Sequence, residues 1–227
     1  MKYLVANWKA NKTVPEAISW FRQVSSIKNQ VSRNLKIIIA VPLTILASLK
    51  KISLPFRLAA QNLSPFPSGP YTGEISAEML KDLVDYVIVG HSERRRYFGE
   101  TNEVVVKKVK MALQSKITPI VCLDEPYLQS QIHQLTHLPI HQFIFAYEPL
   151  SAIGSGKPDA PENAKRVADK IKKMTQQAAV LYGGSINSKN AKEFMFKANL
   201  DGFLVGSASL KAEEFIKIVQ AVRLIEQ

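Results

Sequence analysis

The sequence predicts an α/β fold, a closed (β/α)8 barrel of eight parallel strands surrounded by helices. Eight short apolar runs recur along the 227 residues, and each precedes a longer amphipathic stretch. The mean period is about 28 residues, the size of one strand–helix unit. Strands separated by helices run parallel, because only a crossover returns the chain to the same edge, and eight such units close naturally into a barrel. The predicted strands are Tyr3–Ala6, Lys36–Val41, Arg57–Ala60, Tyr86–Val89, Thr118–Leu123, Phe143–Tyr147, Ala178–Tyr182 and Gly202–Val205.

Residues typical of helix starts stand at the beginning of most stretches between these strands. The last helix, Lys211–Ile225, carries an apolar stripe that faces the core. Residues 124–141 are the least regular and have room for one short helix at most. We expect a single domain over residues 1–227, since no linker or composition shift divides the chain. The other predicted helices, each with its start residues, are Val14–Gln30 (Pro15), Ala77–Val84 (Ser76), Val104–Met111 (Thr101), Asn163–Gln176 (Pro161, Glu162) and Lys189–Lys197 (Asn187 or Ser188).

Composition restricts the class of protein. A 46% hydrophobic content with 22% charged residues indicates an ordered chain. The single cysteine, Cys122, cannot form an internal disulfide, which favours a packing role and a reducing, cytoplasmic compartment. The N-terminal apolar run is too short for a signal peptide or a membrane span, and we expect no membrane association.

The net charge of +11 would attract an anionic small substrate or a nucleic acid. The basic residues stand mostly at helical spacings, which indicates solvated helix faces, and no nucleic-acid motif accompanies them. We therefore expect no nucleic-acid partner.

Three histidines in the irregular segment are spaced by four residues, as metal ligands on one helix face would be. They are His133, His137 and His141. Pro139 interrupts that helix before the third histidine, and no carboxylate or cysteine is spaced to complete a site. We expect no metal there.

The segment 144–157 reads I-F-A-Y-E-P-L-S-A-I-G-S-G-K and joins an apolar strand to a loop of small residues through Glu148. A carboxylate in this position lies at the carboxyl end of its strand, where barrels keep their chemistry. Pro149 stiffens the exit, and the glycines that follow can turn N–H groups toward an anion or move as a lid. Taken alone, the segment fits a structural interpretation better than a functional one: a solvated glutamate at a strand end, followed by ordinary turn glycines.

Polar residues also follow two other strands at the same end of the barrel. Asn7 and Lys9 follow the first strand, and His91 and Glu93 follow the fourth. Each residue also has a purely structural interpretation. Asn7 could be a turn residue and Lys9 a solvated base. His91 could be a buried, hydrogen-bonded histidine and Glu93 an acid in the first turn of a helix. Because the carboxyl ends of the strands meet at one mouth, we expect these side chains to converge with Glu148.

Seven motifs in this order resemble the triosephosphate isomerase family from end to end of the chain. The resemblance implies a TIM barrel that interconverts dihydroxyacetone phosphate and glyceraldehyde 3-phosphate by proton transfer between adjacent carbons, with neither cofactor nor metal. The motifs are A-N-W-K at 6–9, A-Q-N at 60–62, Y-T-G-E-I-S-A-E-M-L at 71–80, V-G-H-S-E-R-R at 89–95, Y-E-P at 147–149, I-G-S-G-K at 153–157 and Y-G-G-S at 182–185.

The resemblance implies catalytic roles for five side chains. Glu148 is the base that moves the carbon-bound proton, and His91 polarises the carbonyl and shuttles protons between the enediolate oxygens. Lys9 offsets the negative charge of the substrate, Asn7 donates to a substrate oxygen, and Glu93 accompanies His91 in its motif. These catalytic roles, with a neutral histidine, are known for the family. It agrees with a carboxylate desolvated by a lid and a histidine at a helix N-terminus.

The resemblance also implies a phosphate site, a lid and a subunit contact. Backbone N–H groups of Gly154, Ser185, Gly206 and Ser207 would hold the phosphate. Thr72 belongs to a loop that reaches into the partner subunit's site, which implies a homodimer and leaves a tetramer open. The lid, which excludes water, consists of Pro149, Leu150, Ser151, Ala152, Ile153, Gly154, Ser155, Gly156 and Lys157.

Four features depart from the family pattern. Ser151 stands where the first lid hinge has tryptophan, and the second hinge is Lys157-Pro158-Asp159. The fifth βα unit is shortened, with Asp124 in place of a glycine. In the family the hinge tryptophan packs against the fifth loop. Its replacement by Ser151 is therefore consistent with the changes in the fifth unit. We expect lid closure with an altered rate and equilibrium.

The fourth departure is Ser207, which replaces the second glycine of a phosphate-binding pair. It either hydrogen-bonds the phosphate or weakens its binding, because serine resists positive φ. The alternative function is a non-catalytic phosphate-binding or scaffold protein on the same fold. The presence of all five catalytic side chains argues against that alternative.

Overall fold

Eight strands form one closed parallel barrel, in which each strand pairs with the next and the last pairs with the first. The structure, a computed structural model, describes residues 1–30, 33–50, 55–152 and 157–223. The predicted (β/α)8 barrel is confirmed, and each predicted strand end lies within one residue of the observed end. The strands are β1 Lys2–Asn7, β2 Leu35–Val41, β3 Arg57–Ala60, β4 Tyr86–Val89, β5 Thr118–Leu123, β6 Ile144–Tyr147, β7 Ala179–Tyr182 and β8 Gly202–Val205.

Helices surround this barrel and follow its strands. Short 3-10 helices cover Ser25–Gln30, Ile140–Gln142 and Ser207–Ser209. Across the described ranges, no helix combines the length and apolar character that crossing a bilayer requires. The α-helices are α1 Val14–Val24, α2 Leu43–Lys50, α3 Ala77–Leu80, α4 Ser92–Phe98, α5 Asn102–Gln114, α6 Glu125–Leu135, α7 Pro161–Met174, α8 Ala191–Lys197 and α9 Ala212–Arg223.

The predicted N-caps hold at two helices. Ser76 Oγ accepts the Met79 N–H at 3.3 Å and so caps α3. Thr101 Oγ1 accepts the Val104 N–H at 3.4 Å at the start of α5. Each cap satisfies one backbone donor that the first helical turn leaves without a partner.

Three predicted helices are shorter than expected, because other groups take over the backbone hydrogen bonds. The Ser25 hydroxyl donates to the Phe21 carbonyl at 2.7 Å where α1 gives way to a 3-10 helix. The Leu80 carbonyl accepts from the Leu83 and Val84 N–H groups, forming a turn that ends α3 before β4. At α8 the N-cap is Asn190 rather than Asn187 or Ser188.

The segment 124–141 contains more structure than predicted. It holds α6, a helix of 11 residues, and enters the 3-10 helix Ile140–Gln142. The signal was the apolar spacing of Leu128, Ile132 and Leu135, which are buried against the barrel. In the described part of the chain, no three or more His, Cys, Asp or Glu side chains gather as candidate metal ligands.

The core has two layers, one inside the barrel and one between the strands and the helices. Val5, Ile38, Ile120 and Leu181 are among the side chains that fill the interior, together with Cys122. The outer layer includes Trp20 and Phe215, whose rings lie 5.3 Å apart. Because both faces of each strand are covered, the strands read as continuous apolar runs. This packing holds the carboxyl ends of the strands rigidly around one mouth.

Candidate active site

The Glu148 carboxylate lies at the mouth of the barrel, immediately after β6. Its backbone N–H donates to the Leu123 carbonyl at 2.8 Å and so extends the pairing of β6 with β5. The residue is only 2% exposed. Its Oε2 accepts the Ser92 N–H at 2.9 Å, and its Oε1 lies 3.1 Å from His91 Nε2. A buried carboxylate is thus held by two donors from the β4 side of the mouth.

The tautomer of His91 follows from its hydrogen bonds. The residue is the N-cap of α4, and its Nδ1 accepts the Glu93 N–H at 3.2 Å. An imidazole nitrogen that accepts a hydrogen bond carries no proton, so the proton of the neutral ring is on Nε2. That N–H points toward Glu148 and the cavity.

Lys9 has a left-handed backbone conformation with φ 53°, which costs roughly 1–3 kcal/mol for a residue other than glycine. Its neighbours hold this conformation. The Lys9 N–H donates to Asn7 Oδ1 at 3.1 Å, and the Gln61 amide donates to the Lys9 carbonyl at 2.9 Å. The Lys9 ammonium lies 2.5 Å from Glu93 Oε1. The strained backbone therefore directs a paired ammonium into the mouth.

One cavity of about 290 Å³ brings the residues of five strand ends together. This volume is near the lower end of the range for small-molecule sites. An ammonium, amide and imidazole donors and backbone N–H groups give it the chemistry of an anion site with a carboxylate beside it. Its lining includes Asn7, Lys9, His91, Glu148, Ser185, Gly206 and Ser207.

The other predicted site residues lie as follows. Thr72 is exposed in the loop between β3 and α3 and does not line the cavity. Ser207 begins a 3-10 helix, whose φ is negative, so it avoids the strained conformation considered for it. Of the predicted lid, Pro149, Leu150, Ser151, Ala152 and Lys157 are described, whereas Ile153, Gly154, Ser155 and Gly156 lie outside the described residues.

Gly183 supports Glu148 from behind, a role that the sequence analysis missed. A Cβ at position 183 would lie 2.8 Å from Glu148 Cγ and 3.3 Å from the Tyr147 carbonyl oxygen. No side chain fits at that distance, so glycine is needed for the Glu148 carboxylate to sit where it does. The Y-G-G-S motif was the available signal.

A buried ionic cluster below the mouth was also missed. Glu100 Oε2 contacts Lys108 Nζ at 2.6 Å and Arg94 Nε at 2.7 Å, while its Oε1 accepts the Gly90 N–H at 3.1 Å. Burial tends to raise the pKa of the Glu100 carboxyl, but Lys108 and Arg94 outweigh it and the pKa is lowered. The cluster holds the backbone immediately before His91.

Comparison with known proteins gives a consistent family. A family model described as triosephosphate isomerase matches residues 2–222. The chain is 39% identical to the triosephosphate isomerase of Mesomycoplasma hyorhinis, with 95% of this chain and 96% of that protein covered. It is 40% identical to that of Endomicrobium trichonymphae, covering 96% and 97%. It is also 40% identical to that of Dehalococcoides mccartyi strain CBDB1, covering 98% and 97%. The chain therefore belongs to the triosephosphate isomerase family.

Proposed function

We propose that the chain interconverts dihydroxyacetone phosphate and D-glyceraldehyde 3-phosphate. Family membership supports this reaction. The observation that carries it is the contact between a buried carboxylate and an imidazole: Glu148 Oε1 and His91 Nε2 lie 3.1 Å apart, in a cavity that Lys9 also lines. A base, a hydrogen-bond donor and a cation are the groups that proton transfer next to a carbonyl requires.

Glu148 takes the proton from the carbon beside the carbonyl, and the electron pair of that C–H bond moves toward the carbonyl oxygen to form an enediolate. The same carboxyl returns the proton to the neighbouring carbon, while His91 moves the hydroxyl proton from one enediolate oxygen to the other, so that the second oxygen becomes the carbonyl and the first a hydroxyl. His91 Nε2–H donates to the oxygen that becomes negative, and Asn7 and Lys9 stabilise it further. Each donor aligned to that oxygen contributes about 3 kcal/mol to the transition state.

Substrate binding changes the partners of the base. In the resting arrangement Glu148 Oε1 occupies the hydrogen-bonding position at His91 Nε2. The substrate carbonyl needs the same N–H, so it displaces the carboxylate from His91.

The phosphate group and the lid belong to the same proposal. Ser185, Gly206 and Ser207 line the cavity beside Lys9, after β7 and β8. With Gly154 they would direct backbone N–H groups to the phosphate, and residues 149–157 would close over it. The Ser185 hydroxyl donates to the Ala152 carbonyl at 2.6 Å, which joins the phosphate side of the mouth to the segment that carries the base.

We further propose a cytoplasmic homodimer. Thr72 stands on an exposed loop where Phe66 and Tyr71 stack at 4.5 Å while remaining 40% and 37% exposed. Aromatic residues are enriched in protein interfaces relative to the rest of the surface. The loop closes on itself through a 2.8 Å hydrogen bond from the Ser64 N–H to the Ile75 carbonyl. Sedimentation analysis of the wild type and Thr72→Asp, which we expect to be dimeric and monomeric respectively, tests this.

The reaction is tested by a coupled assay of glyceraldehyde 3-phosphate conversion. Three proteins are compared: the wild type, Glu148→Gln, and Glu213→Gln as a matched control on an exposed face of α9. We expect the wild type and the control to turn over equally. Glu148→Gln should lose several orders of magnitude in kcat, because an amide cannot accept the proton.

Two outcomes would contradict the proposal. A wild type without turnover would refute the reaction, and if it still bound a phosphate-bearing transition-state analogue, the non-catalytic alternative would take its place. Turnover that survives Glu148→Gln would refute the assignment of the base.

A further inference from the structure

We propose that Gln131, on α6, is a positioning residue for His91. It acts through Arg95, whose guanidinium holds the peptide group in front of that histidine. The inference rests on the proposed function, because it assigns a task within the same reaction. Gln131 does not line the cavity of about 290 Å³ that contains His91. It therefore acts through its neighbours and not on the substrate.

The peptide group before His91 is held from two sides. Gly90 has φ 72°, a left-handed conformation that favours glycine. Its N–H donates to Glu100 Oε1 at 3.1 Å, and its carbonyl accepts from Arg95 Nε at 3.1 Å. The Gly90 carbonyl belongs to the peptide bond that continues into His91. Its direction therefore sets the backbone from which the imidazole projects.

All three nitrogens of the Arg95 guanidinium donate hydrogen bonds. Besides the bond from Nε to the Gly90 carbonyl, Nη1 donates to Asn102 Oδ1 at 2.8 Å and Nη2 to Gln131 Oε1 at 2.8 Å. These two acceptors belong to α5 and α6. A planar guanidinium that is bound through every nitrogen has a fixed orientation. Arg95 consequently links the position of the two helices to the Gly90 carbonyl.

The amide of Gln131 is buried, and both of its polar atoms are used. The residue is 0% exposed. Its Oε1 accepts from Arg95, while its Nε2 donates to the Asn102 carbonyl at 3.4 Å. The Asn102 side-chain amide donates in turn to Ser130 Oγ at 3.0 Å. A buried amide is unfavourable unless it is hydrogen-bonded, so contact with Arg95 and Asn102 accounts for a glutamine at this position.

α6 presents two side chains to the same guanidinium. Tyr127 lies four residues before Gln131 and therefore on the same side of the helix. The Tyr127 ring centre is 5.0 Å from the guanidinium carbon of Arg95, within the range of a cation–π contact. Apolar side chains of α6, among them Leu128 and Ile132, are buried and fix the helix on the barrel. The helix is thus a firm support from which Gln131 holds Arg95.

Two substitutions at position 131 separate the contact with Arg95 from simple packing. Gln131→Met keeps the length of the side chain but replaces the amide with a weakly accepting thioether. Gln131→Glu keeps the oxygen that accepts from Arg95 and is the conservative variant that should rescue activity.

Two controls accompany these variants. Gln129→Met makes the same change at an exposed position of α6. Val24→Ala removes buried volume at the last residue of α1 and controls for lost stability. For each protein, kcat, KM and the thermal midpoint are measured, together with hydrogen exchange of the Arg95 Nε–H by NMR. The loss of one signal in Arg95→Lys assigns that proton.

We expect Gln131→Met to lose about tenfold or more in kcat while KM changes little, because a misplaced imidazole affects proton transfer more than phosphate binding. Gln131→Glu should keep most of the wild-type kcat. The Arg95 Nε–H should exchange slowly in the wild type and in Gln131→Glu, and faster in Gln131→Met. Gln129→Met should match the wild type throughout, and Val24→Ala should lower the thermal midpoint without lowering kcat.

Wild-type kcat in a folded Gln131→Met would overturn the inference. So would an equal loss of kcat in Gln131→Glu, which keeps the acceptor, or in Val24→Ala, which only loses stability. If the variants at position 131 failed to fold, rapid exchange of the Arg95 Nε–H in the wild type would overturn the inference and slow exchange would support it. An inactive wild type would refute the proposed function instead, and the exchange rates would still decide whether Gln131 holds Arg95.

Discussion

The ammonium of Lys9 lies 2.5 Å from Glu93 Oε1, so an ion pair joins the loop after β1 to the first turn of α4 across the mouth of the barrel. The two side chains are 27% and 38% exposed, so the pair contributes only about 0–1 kcal/mol to stability. The main effect of the ion pair is to direct the ammonium of Lys9, a residue whose backbone is already strained.

Replacing Glu93 should therefore reduce activity much more than stability. In Glu93→Gln the Lys9 ammonium is no longer held by a charge, and we expect kcat/KM to fall about tenfold or more, since small misplacements in a site have large effects on rate. The thermal midpoint should change little. Asp85→Asn, which breaks an exposed ion pair with Arg57, is the control. An equal loss of kcat/KM in that control would contradict the prediction.

Adding one methyl group behind Glu148 should also reduce activity. In Gly183→Ala the new Cβ would lie 2.8 Å from Glu148 Cγ, closer than side-chain carbons approach, so the carboxylate must move. We expect a drop in kcat of about 100-fold, consistent with a base displaced by roughly 1 Å. Steady-state kinetics and a crystal structure of the variant test this. Unchanged kinetics with Glu148 in its original place would show that the close packing is not required.

The Glu100 cluster predicts how stability depends on pH. The folded-state pKa of Glu100 lies below its ordinary value of 4.5 because Lys108 and Arg94 outweigh the effect of burial. Its contribution to stability is therefore fully present above pH 4.5 and is lost as the pH falls through the folded-state pKa.

We expect Glu100→Gln to lose about 3 kcal/mol of unfolding free energy at pH 7, because Lys108 is left buried without its carboxylate. The difference from the wild type should shrink as the pH falls below 4.5. Urea unfolding across this range measures it, with the exposed Glu213→Gln as the control. A difference that stays constant with pH would contradict the ionic explanation.

Cys122 should be unreactive in the folded protein. The residue is 1% exposed inside the barrel, and burial, together with the negative charge of Glu148, raises the pKa of its thiol well above the ordinary value. The reactive thiolate is therefore scarce at neutral pH. We expect iodoacetamide to modify Cys122 only in concentrated urea, as measured by mass spectrometry. Rapid modification of the native protein would contradict this.

The fold and the chemical groups of the site could be predicted from the sequence. The strands are continuous apolar runs because both their faces are covered, so their positions are visible in the residue pattern. Glu148, His91 and Lys9 follow strand ends, and the carboxyl ends of parallel strands meet at one mouth. Their convergence therefore followed from local pattern and topology alone.

The supports of these groups could not be predicted in the same way, because they depend on packing between residues far apart in the chain. The Ser92 N–H that binds Glu148 comes from a residue 56 positions earlier, and the Gln61 amide that holds Lys9 from one 52 positions later. No local pattern encodes such contacts. Burial of Asp124 and the fit of Gly183 behind Glu148 likewise arise only when neighbouring strands bring their loops together, since burial and distance are properties of the packed chain.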